Sequence, residues 1–427
     1  MADVVVVGGG LGAVRAAGAL RRAGRRVVLV QEGPNPGGVT APSVPVGLGI
    51  EEFAQRAPGW REVRGLGSGL VAGRDCDCVH ALPLSRAVLP SLFDGTALPA
   101  ALSAWGRARG AVELARLLGG GKETRTYRDW VVQHFGEPVH EALYAPYCRR
   151  RFGEPDEVTV NVARFHHGFR RDTRWYAHEA GPAARLAHDL EGVEVVLGAE
   201  IRGLDTGVVS TAMGDVEGEV YVDLPPRRVV ELLGERSPGG LANEVSRLRC
   251  RHALEVTLRG GHALPFVAHV AGGPLAAYRL VRHGLVPGNP ALAGQVSVQM
   301  AVEDGTPAWT GRDDTLVAEC VDGLRALHLD DIDGGGAVVN RLANHHPVWT
   351  YTTAARVRQY HLGLMERKVI PVGRAGLFAP VDGEAEIAYL DGLAAGNVPF
   401  KELYRRHVEP PVIDDDGSAS LTDFVLR

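Results

Sequence analysis

Four consecutive valines, Val4 to Val7, run straight into Gly8-Gly9-Gly10. An unbroken apolar run of that kind fits a strand buried on both faces, as in a parallel sheet. Beyond the glycines, Ala13, Ala16, Ala17 and Leu20 recur at helical spacing while Arg15, Arg21 and Arg22 fall on the opposite side. Gly24 stands where a helix C-cap glycine belongs, and a second apolar run follows from Val27 to Val30. The opening therefore predicts strand, tight turn, helix, strand. Between about residues 80 and 190 the pattern is mostly helical, broken at Gly119-Gly120-Gly121 and around Glu154-Pro155. Short strands are expected at Val193–Leu197, Ile201, Val208-Val209 and Val220–Val222, and residues 250–310 read as a further β-rich stretch. Val369–Val372 predicts a short strand before Gly373-Arg374, and a helix is expected from near Glu384 to Gly396.

A chain of 427 residues exceeds one typical domain, so two or more lobes are expected. A net charge of −5 would repel a phosphate backbone, which excludes a nucleic-acid surface. No apolar stretch approaches the roughly 18 residues of a membrane span, and the first apolar run ends in glycines, unlike a secretory signal. Five cysteines give no disulfide framework and suit a reducing, cytoplasmic setting. Cys76 and Cys78 read as a loop, and Gly119-Gly120-Gly121-Lys122 lacks the spacing of a phosphate-binding P-loop. No spacing supports a Ser-His-Asp triad or a metal centre.

Gly8, Gly10 and Ala13 fit G-x-G-x-x-G/A, with Leu11 and Gly12 between, at the junction of the predicted strand and helix. The first glycine allows the tight turn, the second lets backbone approach a pyrophosphate, and the small third residue lets helix and strand pack closely. Glu32, about 20 residues further on, is where a carboxylate would accept ribose hydroxyls, favouring NAD or FAD over NADP. The plainer alternative is an ordinary βαβ unit.

With Val7-Gly8-Gly9-Gly10-Leu11-Gly12-Ala13, Glu32 and Gly37-Gly38 at one end, and residues 373–392 beginning Gly-Arg-Ala-Gly-Leu-Phe at the other, the chain resembles a flavoprotein superfamily. Its members are amine oxidases, protoporphyrinogen oxidases and UDP-galactopyranose mutases. Weaker echoes are Phe135-Gly136, Ala145-Pro146-Tyr147, Arg151-Phe152-Gly153 and the stretch from Gly192 through Pro225. The resemblance implies FAD, held without a covalent link. Gly373 and Arg374 would lie near the pyrophosphate or ribityl chain, and Ile201 would turn its backbone to the adenine. Asp382, Glu384 and Ala385 would sit at the flavin, under a helix whose dipole favours reduced flavin. The chain departs from the family at Pro34-Asn35-Pro36 and at Val46-Gly47-Leu48-Gly49.

The fold expected is α/β, with a discontinuous Rossmann-type FAD-binding domain from residues 1–75, 185–235 and 365–427. A substrate domain of mixed β-sheet and helices would come from 76–184 and 236–364. Arg149, Arg150, Arg151, Arg164, Arg170, Arg171 and Arg174 crowd one stretch near Tyr147. They make either an anion clamp, with Arg149 and Arg174 as its core, or a solvated face paired with Asp156, Glu157 and Asp172. Relatives place aromatic side chains near His345, Trp349 and Tyr351 around the substrate, which nominates these three for catalysis; Tyr278-Arg279 is a further substrate contact. The function expected is FAD-dependent oxidation of a small polar or anionic metabolite by hydride transfer to flavin. The alternatives are a redox-neutral sugar-nucleotide mutase and a degenerate FAD-binding protein without turnover.

Overall fold

The valine run becomes the middle strand of a parallel sheet. A computed structural model describes residues 2–34, 50–51, 60–62, 68–72, 79–82, 89–93, 98–99, 125–160, 162–163, 176–178, 186–285, 293–350, 352–378, 389–390 and 392. In it a five-stranded sheet has the order Val369–Pro371, Glu219–Val222, Val4–Val7, Val27–Val30, Glu194–Val196, every neighbouring pair parallel. Val4 to Val7 are fully buried, as a strand covered on both faces must be. Helix Leu11–Arg22 returns from the first strand to the second and buries the alanine stripe read from the sequence. Because the strands are parallel, their carboxyl ends share one edge, so Gly8, Gln31, Asp223 and Val372 emerge together. Open α/β sheets bind ligands at such an edge.

An antiparallel meander (Ile201–Asp205, Val208–Thr211, Gly214–Glu217) links the last and the second strands of that order. A larger, seven-stranded sheet has the order Asp333–Pro347, Cys250–Arg259, Gln295–Val302, Arg279–Arg282, Val267–Val270, Ser68–Val71, Val79–Leu82. Its pairs are antiparallel except Val267–Val270 with Ser68–Val71. One face is apolar: Leu254, Val256, Leu258, Val298, Met300 and Leu280 pack in one core with Leu316, Cys320 and Leu324 of helix Asp313–Arg325. Alternation along the strands turns Glu255, Gln299, Arg279 and His269 to the opposite face.

Several elements differ from the sequence reading. Ser68–Val71 falls within the segment expected for the FAD lobe, yet its hydrogen bonds go to the larger sheet. Val79–Leu82 and Tyr176–His178 are strands inside the stretch expected to be mostly helical, which does contain helices Tyr127–Phe135 and Ala145–Arg151. Thr126 and Asp129 form a reciprocal capping box that starts the first of these helices. Strand Asp333–Pro347 and helix Thr353–Glu366 carry no anticipating pattern in the reading above. Cys76, Cys78, the Gly119–Gly121 run and Glu384 lie outside the described residues.

Candidate active site

At the edge of the parallel sheet, both terminal motifs close over the end of strand Glu219–Val222. Gly8 takes φ +134°, and a side chain there would run into the Asp223 carbonyl at 2.6 Å. A side chain on Gly10 would meet Asp223 Oδ2 at 2.6 Å, and one on Gly373 would overlap the same carboxylate. The N–H groups of Leu11, Gly12 and Ala13 open the helix and have no intrahelical acceptor. They form the cradle that a pyrophosphate fits, backbone donors at a positive dipole end with no Cβ in the way at Gly8 and Gly10. Ala13 N–H already donates to Asp223 Oδ2 at 3.0 Å. Gly373 and Arg374, 360 residues along the chain from Ala13, begin a short helix at the same edge.

Glu32 and Gln31 divide the position read from the sequence as one carboxylate. Glu32 is half-exposed and accepts from Arg228 Nη2 at 2.8 Å, and that same nitrogen donates to the Ile201 carbonyl at 3.1 Å. The salt bridge thus joins the second strand to the meander where the resemblance puts the adenine. Gln31 is the first residue past Val30, only 1% exposed, with Nε2 donating to the Gly33 carbonyl. Its Oε1 is the nearest atom to the open side of Gly9. Gln31, unlike Glu32, faces the glycine turn. The clue was available, because a strand ending at Val30 makes residue 31 the first side chain at the edge. Asp223 was missed as well, since no motif marks it.

The polar face of the larger sheet carries a row in register across its strands: Glu255 opposite Gln299, Gln299 opposite Arg279, Arg279 opposite His269. Arg279 Nε donates to Gln299 Oε1 at 2.7 Å, and Gln299 Nε2 donates to Glu255 Oε2 at 2.7 Å. Burial raises the Glu255 carboxyl, opposed by the Gln299 bond and by Arg279. At the far end of the row Tyr147 Oη lies 3.3 Å from His269 Nδ1 and accepts from Arg151 Nη1 at 2.7 Å. Burial keeps the Tyr147 phenol neutral by raising it, against the pull of Arg151.

Four of the nominated side chains and Arg151 meet here. The Arg151 guanidinium lies 5.2 Å from the Tyr278 ring and that of Arg279 5.8 Å from it. His346 stands edge-on to Tyr278 at 5.8 Å, and His345 lies 4.8 Å from His346. Surrounding protein, then Arg374 and Arg279, pull the His345 imidazole below its ordinary range. Burial, His345 and the guanidiniums of Arg374, Arg151 and Arg279 hold His346 well below the usual range. Both rings are therefore neutral at pH 7.

The other nominated residues separate. Trp349 is 1% exposed and donates from Nε1 to the Phe378 carbonyl at 2.9 Å, so it ties the C-terminal segment down and does not reach this wall. Arg149 is half-exposed and pairs with Glu154 at 3.0 Å, a partner the sequence reading did not name. Arg150 donates to the carbonyls of Gly273, Leu275 and Ala277, clamping its helix to the larger sheet. Gly37, Gly38, Arg174, Tyr351, Asp382, Glu384 and Ala385 lie outside the described residues.

Residues 3–61 match the family model described as FAD dependent oxidoreductase. No curated protein sequence matches the chain. Among solved structures it is similar to a reduced UDP-galactopyranose mutase, with a TM-score of 0.68 at 13% identity over 98% of each chain. It is also similar to a CLA-producing fatty acid isomerase from P. acnes, with a TM-score of 0.61 at 10% identity over 92% of this chain and 98% of that one. Cyclohexylamine oxidase from Brevibacterium oxydans gives a TM-score of 0.57 at 14% identity over 94% and 99%. Identities this low establish a shared fold, and the match of residues 3–61 to FAD-dependent oxidoreductases supports FAD as the cofactor.

Proposed function

We propose that the chain is an oxidoreductase that takes a hydride from a small polar anion bound against the polar face of the larger sheet. The observation that carries this reading is the gathering of Arg151 and Arg279 around Tyr278, beside His345 and His346, with Arg374 adding its charge from the nucleotide-binding edge. Guanidinium forks bind carboxylates and phosphates bidentately. Bound FAD supplies the hydride acceptor.

Each side chain then has a defined task. Gln299 fixes the Arg279 fork by accepting at Nε, which leaves both terminal nitrogens to face an anion. Glu255 anchors Gln299 from behind and balances part of the charge. Tyr147, held between Arg151 and His269, sets the angle of Arg151. His345 and His346 are uncharged at neutral pH, so they accept or donate hydrogen bonds without repelling the arginines, and an anion among the guanidiniums would raise both. With a bound anion raising it toward its ordinary range, His345 could take a proton leaving the substrate.

The redox-neutral isomerase is the second reading, favoured by the mutase likeness over 98% of both chains. The two separate by experiment. Purified protein is freed of oxygen and mixed with small amino, hydroxy and keto acids while the visible flavin band is followed. Bleaching by one of these anions is the expected result. Turnover only after prior reduction of the flavin, with its absorbance unchanged, would replace oxidation by isomerisation.

A further inference from the structure

Asp223 brings a negative charge to the place where the cofactor's own negative charges belong. It is buried at the carboxyl end of strand Glu219–Val222, next to the central strand. Its Oδ2 takes the N–H of Ala13 at 3.0 Å across 210 residues of sequence. Gly10 on one side and Gly373 on the other leave the space that its carboxylate fills, since a side chain on either would collide with it. Gly10 supplies no side-chain cap to helix Leu11–Arg22, and Asp223 does so from a distance. The same first-turn amides and dipole end are what hold a pyrophosphate.

We propose that Asp223 is a remote cap for this helix that also weakens FAD binding, by placing a fixed anion beside the pyrophosphate site. The capping half of the role follows from the Ala13 bond, which keeps the glycine turn in shape. The opposing half follows from Coulomb's law: a carboxylate on the first-turn amides that a pyrophosphate would use would repel it. Both functions draw on one carboxylate, so they can be separated by removing its charge and keeping its acceptor. Asp223→Asn does this, because the amide oxygen can still accept from Ala13. Asp223→Ala removes both.

The proposal rests on FAD being the cofactor, and the test keeps the two apart. Protein stripped of flavin is titrated with FAD while flavin fluorescence is followed, and the melting temperature of each stripped form is measured. Asp223→Asn should bind FAD about tenfold tighter or better than the original chain, with an unchanged melting temperature. Asp223→Ala should also bind more tightly but melt at a lower temperature, because the cap is gone. If the original chain takes up FAD and Asp223→Asn binds equally or more weakly, the proposal is overturned and the carboxylate is a favourable contact. If no form takes up FAD, the cofactor assignment falls and the proposal with it.

Discussion

The parallel sheet and the larger mixed sheet keep their chemistry in different places. Both faces of the five-stranded sheet are apolar at its centre, from Val4 to Val7 and through Leu29 and Val222. No polar side chain can be presented there, so its chemistry gathers where strands stop, at Gly8, Gln31, Asp223 and Gly373. The seven-stranded sheet covers one face with helix Asp313–Arg325 and leaves Glu255, Gln299, Arg279 and His269 in a row on the other. A sheet apolar on both faces works by its edge, and a sheet apolar on one face has the other free for polar side chains. The first arrangement recognises a cofactor mainly through backbone. The second, in the function proposed, would recognise a small molecule through side chains.

Breaking the edge should have the largest effect. Gly10→Leu puts a side chain into the Asp223 carboxylate and the pyrophosphate space together, and FAD content should fall to background. Circular dichroism should still report a folded chain; normal FAD content would show that the cofactor does not lie at this turn.

Acid should strain both regions. His283 lies in the larger sheet's polar layer, bonded to Ser297 Oγ, and His361 sits against the Leu377 carbonyl beside the parallel sheet. Burial pushes each down to about 4, with Arg279 adding to it at His283 and the Leu377 bond opposing it at His361. The unfolded chain binds those protons more readily. The stability involved is therefore complete above about pH 6.5 and lost as pH falls toward 4, about 2 kcal/mol per histidine at pH 5. Urea midpoints at pH 7 and pH 5 should show the loss, and His361→Gln should remove about half of the part these two rings contribute. Equal midpoints would mean that neither ring is held neutral by the fold.

Retuning the face should cost less. Arg279→Gln should raise KM for an anionic substrate by about ten- to a hundredfold, the worth of a charge-assisted hydrogen bond, with FAD content intact. Arg149→Gln, at the solvent-facing pair with Glu154, should change nothing. Equal effects would erase the distinction drawn between these arginines.

How much of this was legible in the sequence follows the same division. Val4–Val7, the alanine stripe and Val27–Val30 read correctly because a doubly buried strand and its helix write continuous or periodic apolar patterns. The terminal glycine motifs were nominated for a cofactor, and the fold brings Gly8, Gly10 and Gly373 together around Asp223; Gln31, one residue before the nominated Glu32, is the side chain that faces the turn. Tyr278, Arg279 and His345 were nominated by position, and the fold brings them near one another. Gln299, Glu255 and His269 were not, because cross-strand register joins residues far apart in sequence and leaves no local mark. Trp349 shows the converse: an aromatic near the right place that the fold uses for packing. Trp349→Phe, which removes the bond to Phe378 and leaves a small cavity, should cost about 1–3 kcal/mol of stability and leave turnover unchanged, as thermal melts and initial rates would show.

The claim that the polar face seats an anion beside the flavin has one direct measurement. Oxidised, FAD-loaded protein is titrated with acetate, benzoate and phosphate, and with amines of similar size, while the visible flavin spectrum is recorded for the original chain and for Arg279→Gln. A saturable shift with at least one anion, weakened about tenfold or more in Arg279→Gln, is the result this account predicts. A shift produced by amines alone, or by anions equally in both proteins, would contradict it.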